Sequence, residues 1–150
     1  MLAPTHTVFG LFLTLTILAV FGVQSSLHYS ILLAAIIGSL LPDLDTPRSF
    51  IGRLFPFASQ YLERKFGHRT VTHSLVGWLA ASLLVASLLV ISLWVSNRLT
   101  TSPLVTSGLI KRWLAAFSIG YFSHVILDML NPRGSQLFWP DKGRDVFPKD

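Results

Sequence analysis

Seven of the histidines and carboxylates of this chain, the types that bind metal ions through nitrogen and oxygen, have a spacing that gives them a shared chemistry: His6, Asp43, Asp45, His68, His73, His124 and Asp128. His124 and Asp128 stand four apart in HVILD, so on a helix both side chains leave the same face and can share an ion or a hydrogen bond. Asp43 and Asp45 follow a proline in PDLD, where a turning or extended backbone directs both carboxylates to a common centre. His68 and His73 lie in GHRTVTHS, immediately before an apolar run, and His6 precedes another. The chain has no cysteine, which excludes disulfides and thiolate sites. Imidazole with carboxylate suits zinc first, with manganese and non-haem iron as alternatives. A catalytic zinc takes about three protein ligands and keeps one position for water. Seven candidates exceed that shell, so the pattern fits either two ions or one ion with outer carboxylates that orient histidines and accept a proton.

The elements that must position these groups are apolar. Of 150 residues, 51% are hydrophobic and only 13% charged, and the mean hydropathy is +0.59. That is the composition of a membrane protein with one domain, residues 1–150. Four segments carry the hydrophobicity: Thr7 to Val23, Leu27 to Leu41, Leu75 to Val95 and Trp113 to Leu130. The expectation is an all-α integral membrane bundle of about four apolar helices, with Gly10, Gly22, Gly38, Gly77 and Gly120 allowing close helix approach. The second segment is short and need not fully span. The first is not followed by a small-residue cleavage signal and reads as a retained span. Between the second and third, Phe57 to Gly67 places Phe57, Tyr61, Leu62 and Phe66 near one face, as an interfacial amphipathic helix would. Ser96 to Gly108, rich in Ser and Thr, reads as a plain loop.

The formal charge of +5 invites comparison with nucleic-acid binders, but no basic stripe or aromatic-studded strand accompanies it. With four crossings, one side carries Arg48, Arg53, Arg64, Lys65, Arg69, Arg133, Lys142, Arg144 and Lys149, and the other Arg98, Lys111 and Arg112. The side rich in Lys and Arg, which holds both termini, is then cytoplasmic. All seven candidate ligands fall on that same face, although they took no part in choosing it. His28 falls on the other side and reads as an interfacial residue.

Each piece has a plainer explanation when taken alone. An isolated HxxxD is more often a structural pair than a ligand pair, DLD after a proline is commonly a solvated turn, and His6 could be an exposed terminal histidine. Arg69 either obeys the positive-inside rule or offers a fork for a phosphate or carboxylate. Ser74 or Thr72 fits a helix N-cap better than a serine nucleophile, since neighbouring residues do not face each other on a helix. Seven groups at one membrane face favour a metal site over separate accidents. An ionisable pair in an apolar helix is itself a sign of function.

The motifs LLPDLDTP, FGHRTVTHS and GYFSHVILDMLNPRG, followed by LFWP, resemble the YdjM-like family of bacterial inner-membrane proteins, which is described as a family of metal-dependent hydrolases. The match runs in order from His6 to about Pro140. The resemblance implies a largely helical protein of the bacterial inner membrane with metal-dependent hydrolase activity, in some bacteria part of a DNA-damage (LexA-controlled) regulon. It carries over the same positions: His6, Asp43, Asp45, His68, His73, His124 and Asp128. Thr46 stands where relatives often carry histidine, so one further ligand is absent here.

The function expected is hydrolysis of an ester, foremost a phosphoester, by metal-activated water at the inner-membrane surface. Asp45 and Arg69 are the catalytic candidates, the first accepting a proton and the second positioning an anion. A lipid or lipid-linked substrate can reach such a site without leaving the bilayer, so membrane lipids are the expected partners and nucleic acid is not. Asn131 and Arg133 either frame the entrance or form a helix-ending turn. The competing expectation is a non-enzymatic membrane scaffold in which the same groups form a structural metal site or a hydrogen-bonded staple. An ion transporter fits less well, because the polar residues cluster at one face instead of lining a midplane path.

Overall fold

Uninterrupted apolar runs with few charges become helices here, and small or capping residues end them. The computed structural model describes residues 3–23, 28–99, 107–130 and 135–141, and every regular element among them is helical. Helix α1 (Ala3–Val20) closes in a left-handed Gly22 with φ 69°. There the Val23 N–H donates to Leu18 O at 2.9 Å and the Gly22 N–H to Ala19 O at 3.0 Å, the paired bonds of a glycine C-cap. Helix α2 (Tyr29–Leu40) is capped by His28, whose Nδ1 accepts from the Ser30 N–H. The isolated His28 of the sequence therefore has a local structural task. One turn of 3₁₀ helix (Leu41–Asp45) carries PDLD, and the short α3 (Phe50–Leu54) and α4 (Pro56–Phe66) follow. Helix α5 (Leu75–Leu99) starts at Ser74, whose Oγ accepts from the Gly77 N–H at 3.0 Å while donating to Val71 O at 2.6 Å. Ser74 is an N-cap with both roles taken. Helix α6 (Ser107–Met129) ends the bundle.

The core lies where α2 packs on α6, around Ile31, Ala34, Ala35, Ala116, Phe117, Tyr121 and Val125. Two glycines allow this contact. A Cβ on Gly38 would strike the Phe117 carbonyl, and one on Gly120 the Ala35 carbonyl, so the two backbones touch directly. Helix α1 lies across both, with Gly10 against Ser39 and Ser123. Helix α5 leans on α6, where the Trp78 Nε1–H donates to Ser118 Oγ at 3.0 Å.

Among the described residues two helices, not four, are long and apolar enough to cross a bilayer: Ala3–Val20 and Leu75–Arg98. Helix α2 has 12 residues, about 18 Å of helix against a hydrocarbon core of about 30 Å. Helix α6 is long enough but carries Lys111, Arg112 and Asp128. The expected bundle of about four apolar helices is thus narrowed to an all-α fold with two candidate spans. Ser96 to Gly108 is not a plain loop throughout, since α5 continues to Leu99 and α6 begins at Ser107. The amphipathic helix runs from Pro56 to Phe66, with Phe57 and Tyr61 exposed. Leu27, Asn131, Arg133, Lys142, Arg144 and Lys149 lie outside the described residues.

Candidate metal centre

Four parts of the chain meet at one end of the bundle: the start of α1, the 3₁₀ turn after α2, the loop from Gly67 to Ser74, and the end of α6. The sequence folds this way because each apolar helix begins or ends where its polar residues can be covered together. Asp43, His73, His124 and Asp128 each bring one ligand atom into a group whose members all lie within 4.8 Å of one another. His73 Nε2 is 3.0 Å from Asp128 Oδ2, His124 Nε2 is 3.7 Å from the same oxygen, and His124 Nε2 is 3.6 Å from Asp43 Oδ1. Ligands bound about 2.0–2.1 Å from a tetrahedral ion stand about 3.3 Å apart. The observed spacings bracket that value.

Both imidazoles are turned so that Nε2 faces the centre. The His124 Nδ1–H donates to Ser39 O at 2.6 Å, which fixes the ring with Nε2 turned inward. His73 Nδ1 lies 3.0 Å from Thr72 Oγ1, and that hydroxyl donates to Asp45 Oδ2 at 2.6 Å. The Nδ1 of His73 is therefore directed toward the hydroxyl, and its Nε2 also faces inward. A carbonyl or carboxylate behind the ring is how metal-binding histidines are usually oriented. Both Nε2 atoms are buried and without a hydrogen-bond partner, because even the 3.0 Å approach to Asp128 lacks hydrogen-bond alignment. Buried polar atoms are rarely left unsatisfied. Two such atoms facing two carboxylates fit a cation between them.

The other three candidates surround this quartet. His6 is buried and stacks on His124 with ring centroids 3.7 Å apart; its Nε2 lies 3.7 Å from Asp128 Oδ1 and its Nδ1 has no partner. Asp45, 1% exposed, receives the Thr72 hydroxyl, the Arg69 N–H at 2.9 Å and His68 Nδ1 at 3.1 Å. His68 is 44% exposed and also meets Thr46 Oγ1 at 2.7 Å. Thr46, at the position where the family resemblance implied histidine, thus holds a histidine from another segment.

Arg69 has an unusual backbone for a non-glycine residue, with φ 61°. The loop holds it there: its N–H bonds Asp45, its carbonyl accepts from the Gln136 N–H, and Tyr121 Oη donates to Thr72 O at 2.6 Å. Such conformations cost about 1–3 kcal/mol and persist where surroundings enforce them, often at functional sites. The guanidinium reaches Asp128 Oδ1 through Nη2 at 3.2 Å, while buried Nε and Nη1 have no hydrogen-bond partner.

Electrostatics favour a cation. Burial works against charge on Asp45, but hydrogen bonds from His68 and His73 and from the Thr72 hydroxyl hold its carboxyl well below the usual carboxylate range. Burial also opposes charge on Asp43, and the hydrogen bond and positive charge of His124 outweigh it, so that carboxyl too is lowered. Burial pushes His73 down, yet the Asp128 and Asp45 carboxylates, 3.0 and 3.5 Å from its two ring nitrogens, win and raise it above its ordinary 6.5. The site is built to hold positive charge on or between its imidazoles.

Position along the helices was enough to nominate the quartet, but its supports were not nominated. Ser39 contributes only a backbone carbonyl, Thr72 looked like helix-cap material, and Tyr121 is one more aromatic residue in an apolar helix.

The comparisons agree with the membrane composition. The family profile described as YdjM inner membrane protein matches residues 1–147. The chain is 34% identical over 115 residues to Inner membrane protein YdjM of Escherichia coli (strain K12), and equally to that of Shigella flexneri, covering 77% of this chain and 52% of the relative. It is 31% identical over 112 residues to the protein YvsG of Bacillus subtilis (strain 168), covering 75% and 58%. The chain spans about half the length of these curated relatives. No solved structure matches. Both the order of its motifs and the extent of this match show that the chain belongs to the YdjM inner membrane protein family.

Proposed function

We propose that this protein is a metal-dependent hydrolase that cleaves a phosphoester at the surface of the bacterial inner membrane. The observation that carries this reading is the pair of buried, unpartnered Nε2 atoms of His73 and His124 facing Asp43 and Asp128. Zinc suits the donor set, with manganese or iron as alternatives. A divalent ion bound there supplies a Lewis acid and a water acidified toward neutral pH. Asp43, His73, His124 and Asp128 hold the ion, and His6 lies beside Asp128 at the edge of the group.

Asp45 has its oxygens engaged by Thr72, Arg69 and His68, so it positions His73 from behind the centre. His68, hydrogen-bonded to Asp45 and exposed on its other side, gives a proton received by that pair a path to solvent. Arg69 presents Nε and Nη1 as donors for a phosphoryl oxygen, in a fork suited to that group. As water attacks phosphorus and gives up a proton, the phosphorus–oxygen ester bond breaks and the departing oxygen takes up a proton to leave as an alcohol, while Arg69 would oppose the charge that develops on the phosphoryl oxygens. In this reading the chain crosses the membrane more than once, and the polar end faces the cytoplasm.

The competing scaffold reading draws on the complete burial of His73 and His124, which also fits a closed structural shell. Elemental mass spectrometry on detergent-purified protein tests both, beside a His73→Ala/His124→Ala variant and phosphoester turnover before and after chelation. Near-stoichiometric metal and turnover, both lost in the variant, are expected. Bound metal without turnover would favour the structural shell. No metal after reconstitution with zinc, manganese and iron would sink the hydrolase reading.

A further inference from the structure

The short helices α3 and α4, which join the 3₁₀ turn to the loop before α5, expose apolar side chains in a different company from the long helix. Helix α5 runs from Leu75 to Asn97 without a charged residue. Between Arg48 and Lys65, by contrast, Phe50, Leu54, Phe55, Phe57 and Tyr61 are exposed among four cations, Arg48, Arg53, Arg64 and Lys65, with one acid, Glu63. Phe57 is 88% exposed, more than any other large hydrophobic among the described residues. The 11 residues of α4 reach about 16 Å, about half of a hydrocarbon core. Helix α4 is therefore no span.

Its helical period divides α4 into two faces. Ser59, Leu62 and Phe66 share the inner one: Ser59 is buried beside Gly52, and the Phe66 ring meets Trp139 edge-on with centroids 6.0 Å apart. Phe57, Gln60, Tyr61, Arg64 and Lys65 form the outer face around an open hollow of about 550 Å³. Glu63 falls on the flank, so the outer face carries cations and no acid. The expected single face of Phe57, Tyr61, Leu62 and Phe66 is thus divided, and Arg64 and Lys65 join the outer half. Lys65 Nζ lies 5.3 Å from the centre of the Tyr61 ring and donates to Tyr61 Oη at 2.9 Å, which brings its charge level with the phenol. Arg53, Arg64 and Lys65 enter none of the ion pairs among the described residues, which gather in and around the metal centre.

Position says what such a surface meets. Helices α3 and α4 pack on the 3₁₀ turn, at the end of the bundle where α1 begins with the buried His6 and from which α5 sets out at Leu75. These are the two candidate spans, so α4 lies at the level where they leave the hydrocarbon. Aromatic rings beside lysine and arginine at that level match the head-group layer, where rings sit below the phosphates and cations meet them. The complementary surface is anionic outside and apolar beneath.

We propose that the outer surface of α3 and α4 rests in the head groups of anionic phospholipids, with Phe57 and Tyr61 below the phosphates and Arg53, Arg64 and Lys65 among them. This holds for a hydrolase and for a scaffold alike, because it uses no residue of the metal centre.

The chain has no cysteine, so a single nitroxide can report from a chosen position of the full-length protein. Gln60→Cys places it on the outer face and Glu63→Cys on the flank. Each labelled protein is put in nanodiscs of phosphatidylcholine, alone or with one third phosphatidylglycerol, and collisions with lipid-soluble oxygen and a neutral, water-soluble nickel chelate are read by electron paramagnetic resonance. The oxygen-to-nickel ratio should be higher at position 60 than at 63, and at 60 it should rise when phosphatidylglycerol is present. Arg64→Gln with Lys65→Gln should lower the ratio of lipid-docked to free label at 60 by about fivefold for each cation removed. Salt raised to about 1 M, which screens charge beyond about 3 Å, should have the same effect without a substitution, so a poorly folding variant leaves the test intact. Phe57→Ser should lower docking in both kinds of disc. A label at 60 that stays in water in both, docking equal with and without phosphatidylglycerol, or docking seen only when two copies share a disc would each overturn the inference. Retained docking with no phosphoester turnover would leave it standing and remove only the hydrolase reading.

Discussion

Helix α5 and the polar end of the bundle are incomplete in opposite ways. Beyond Gly77 no residue of the spanning stretch of α5 is buried, although Leu83, Leu84, Leu88, Val90, Ile91 and Trp94 are all large and apolar. At the other extreme, His6, Asp45, His73, His124 and Asp128 are buried although all are polar or ionisable. A soluble protein does the reverse on both counts. Each region suits something outside the chain: hydrocarbon against α5, as in a candidate span, and a cation among the carboxylates and imidazoles, as in a candidate metal site. The contrast teaches that the fold is shaped by two solvents, with the α2–α6 contact joining the region that meets lipid to the region that avoids it.

The sharpest way to break this comparison is to place a charge on the uncovered helix. Leu88 lies near the middle of α5 and is 58% exposed. On a soluble surface Leu88→Lys would change stability by no more than about 0.5 kcal/mol. In a spanning helix it should cost about 2.5–3.5 kcal/mol of insertion free energy, read as the fraction of α5 inserted in a glycosylation-mapping assay. Insertion unchanged by the lysine would show that position 88 does not face hydrocarbon, and the comparison would fail with it.

Gly120→Ala examines the joint between the two regions. The new Cβ would meet the Ala35 carbonyl, and neither backbone can move without moving Ser39 relative to His124. Overpacking of this kind costs typically about 1–3 kcal/mol, so denaturation in detergent should come earlier and bound metal should fall with it. Leu88→Ala serves as the contrast, with metal content unchanged. Equal metal retention in both variants would show that the helix contact does not position the site.

These two substitutions also mark what was legible in the sequence. The length and apolarity of α5 announce a span, because a bilayer demands both and little else. The quartet was legible because its members sit at the ends of apolar runs, where polar residues of metal-binding type stand out. Helix α2 was harder: an apolar run reveals that it is buried, but whether lipid or protein covers it depends on α6. The roles within the site were less visible still. Arg69 at φ 61° and the Ser39 carbonyl behind His124 are backbone features, and no residue type records them. Asp45 looked like a ligand or base because the sequence shows a carboxylate but not the donors that surround it.

Asp45→Asn is the finest test, because it alters neither the quartet nor the helix contact. The amide keeps the shape of the side chain but removes the charge that steadies the Thr72 hydroxyl, His68 and His73. Outer partners of metal-bound histidines are worth about 10–100-fold in metal affinity, or about 1.4–2.7 kcal/mol. A loss in that range with stoichiometric binding at saturating metal is expected from titration calorimetry. The pH dependence gives a second readout with a definite sign. His73 is held above its ordinary value partly by Asp45, so an incoming ion competes there with a proton that binds more tightly than to a free imidazole. Affinity should therefore rise as pH rises, by up to about tenfold per unit for each proton released, until both His73 and His124 are neutral without metal. Removing the Asp45 charge lowers the value for His73, so the rise should level off at a lower pH in Asp45→Asn than in the parent. A variant with weakened affinity but an unshifted profile would mean that Asp45 supports the loop around Arg69 and not the imidazole, leaving Thr72 alone behind His73.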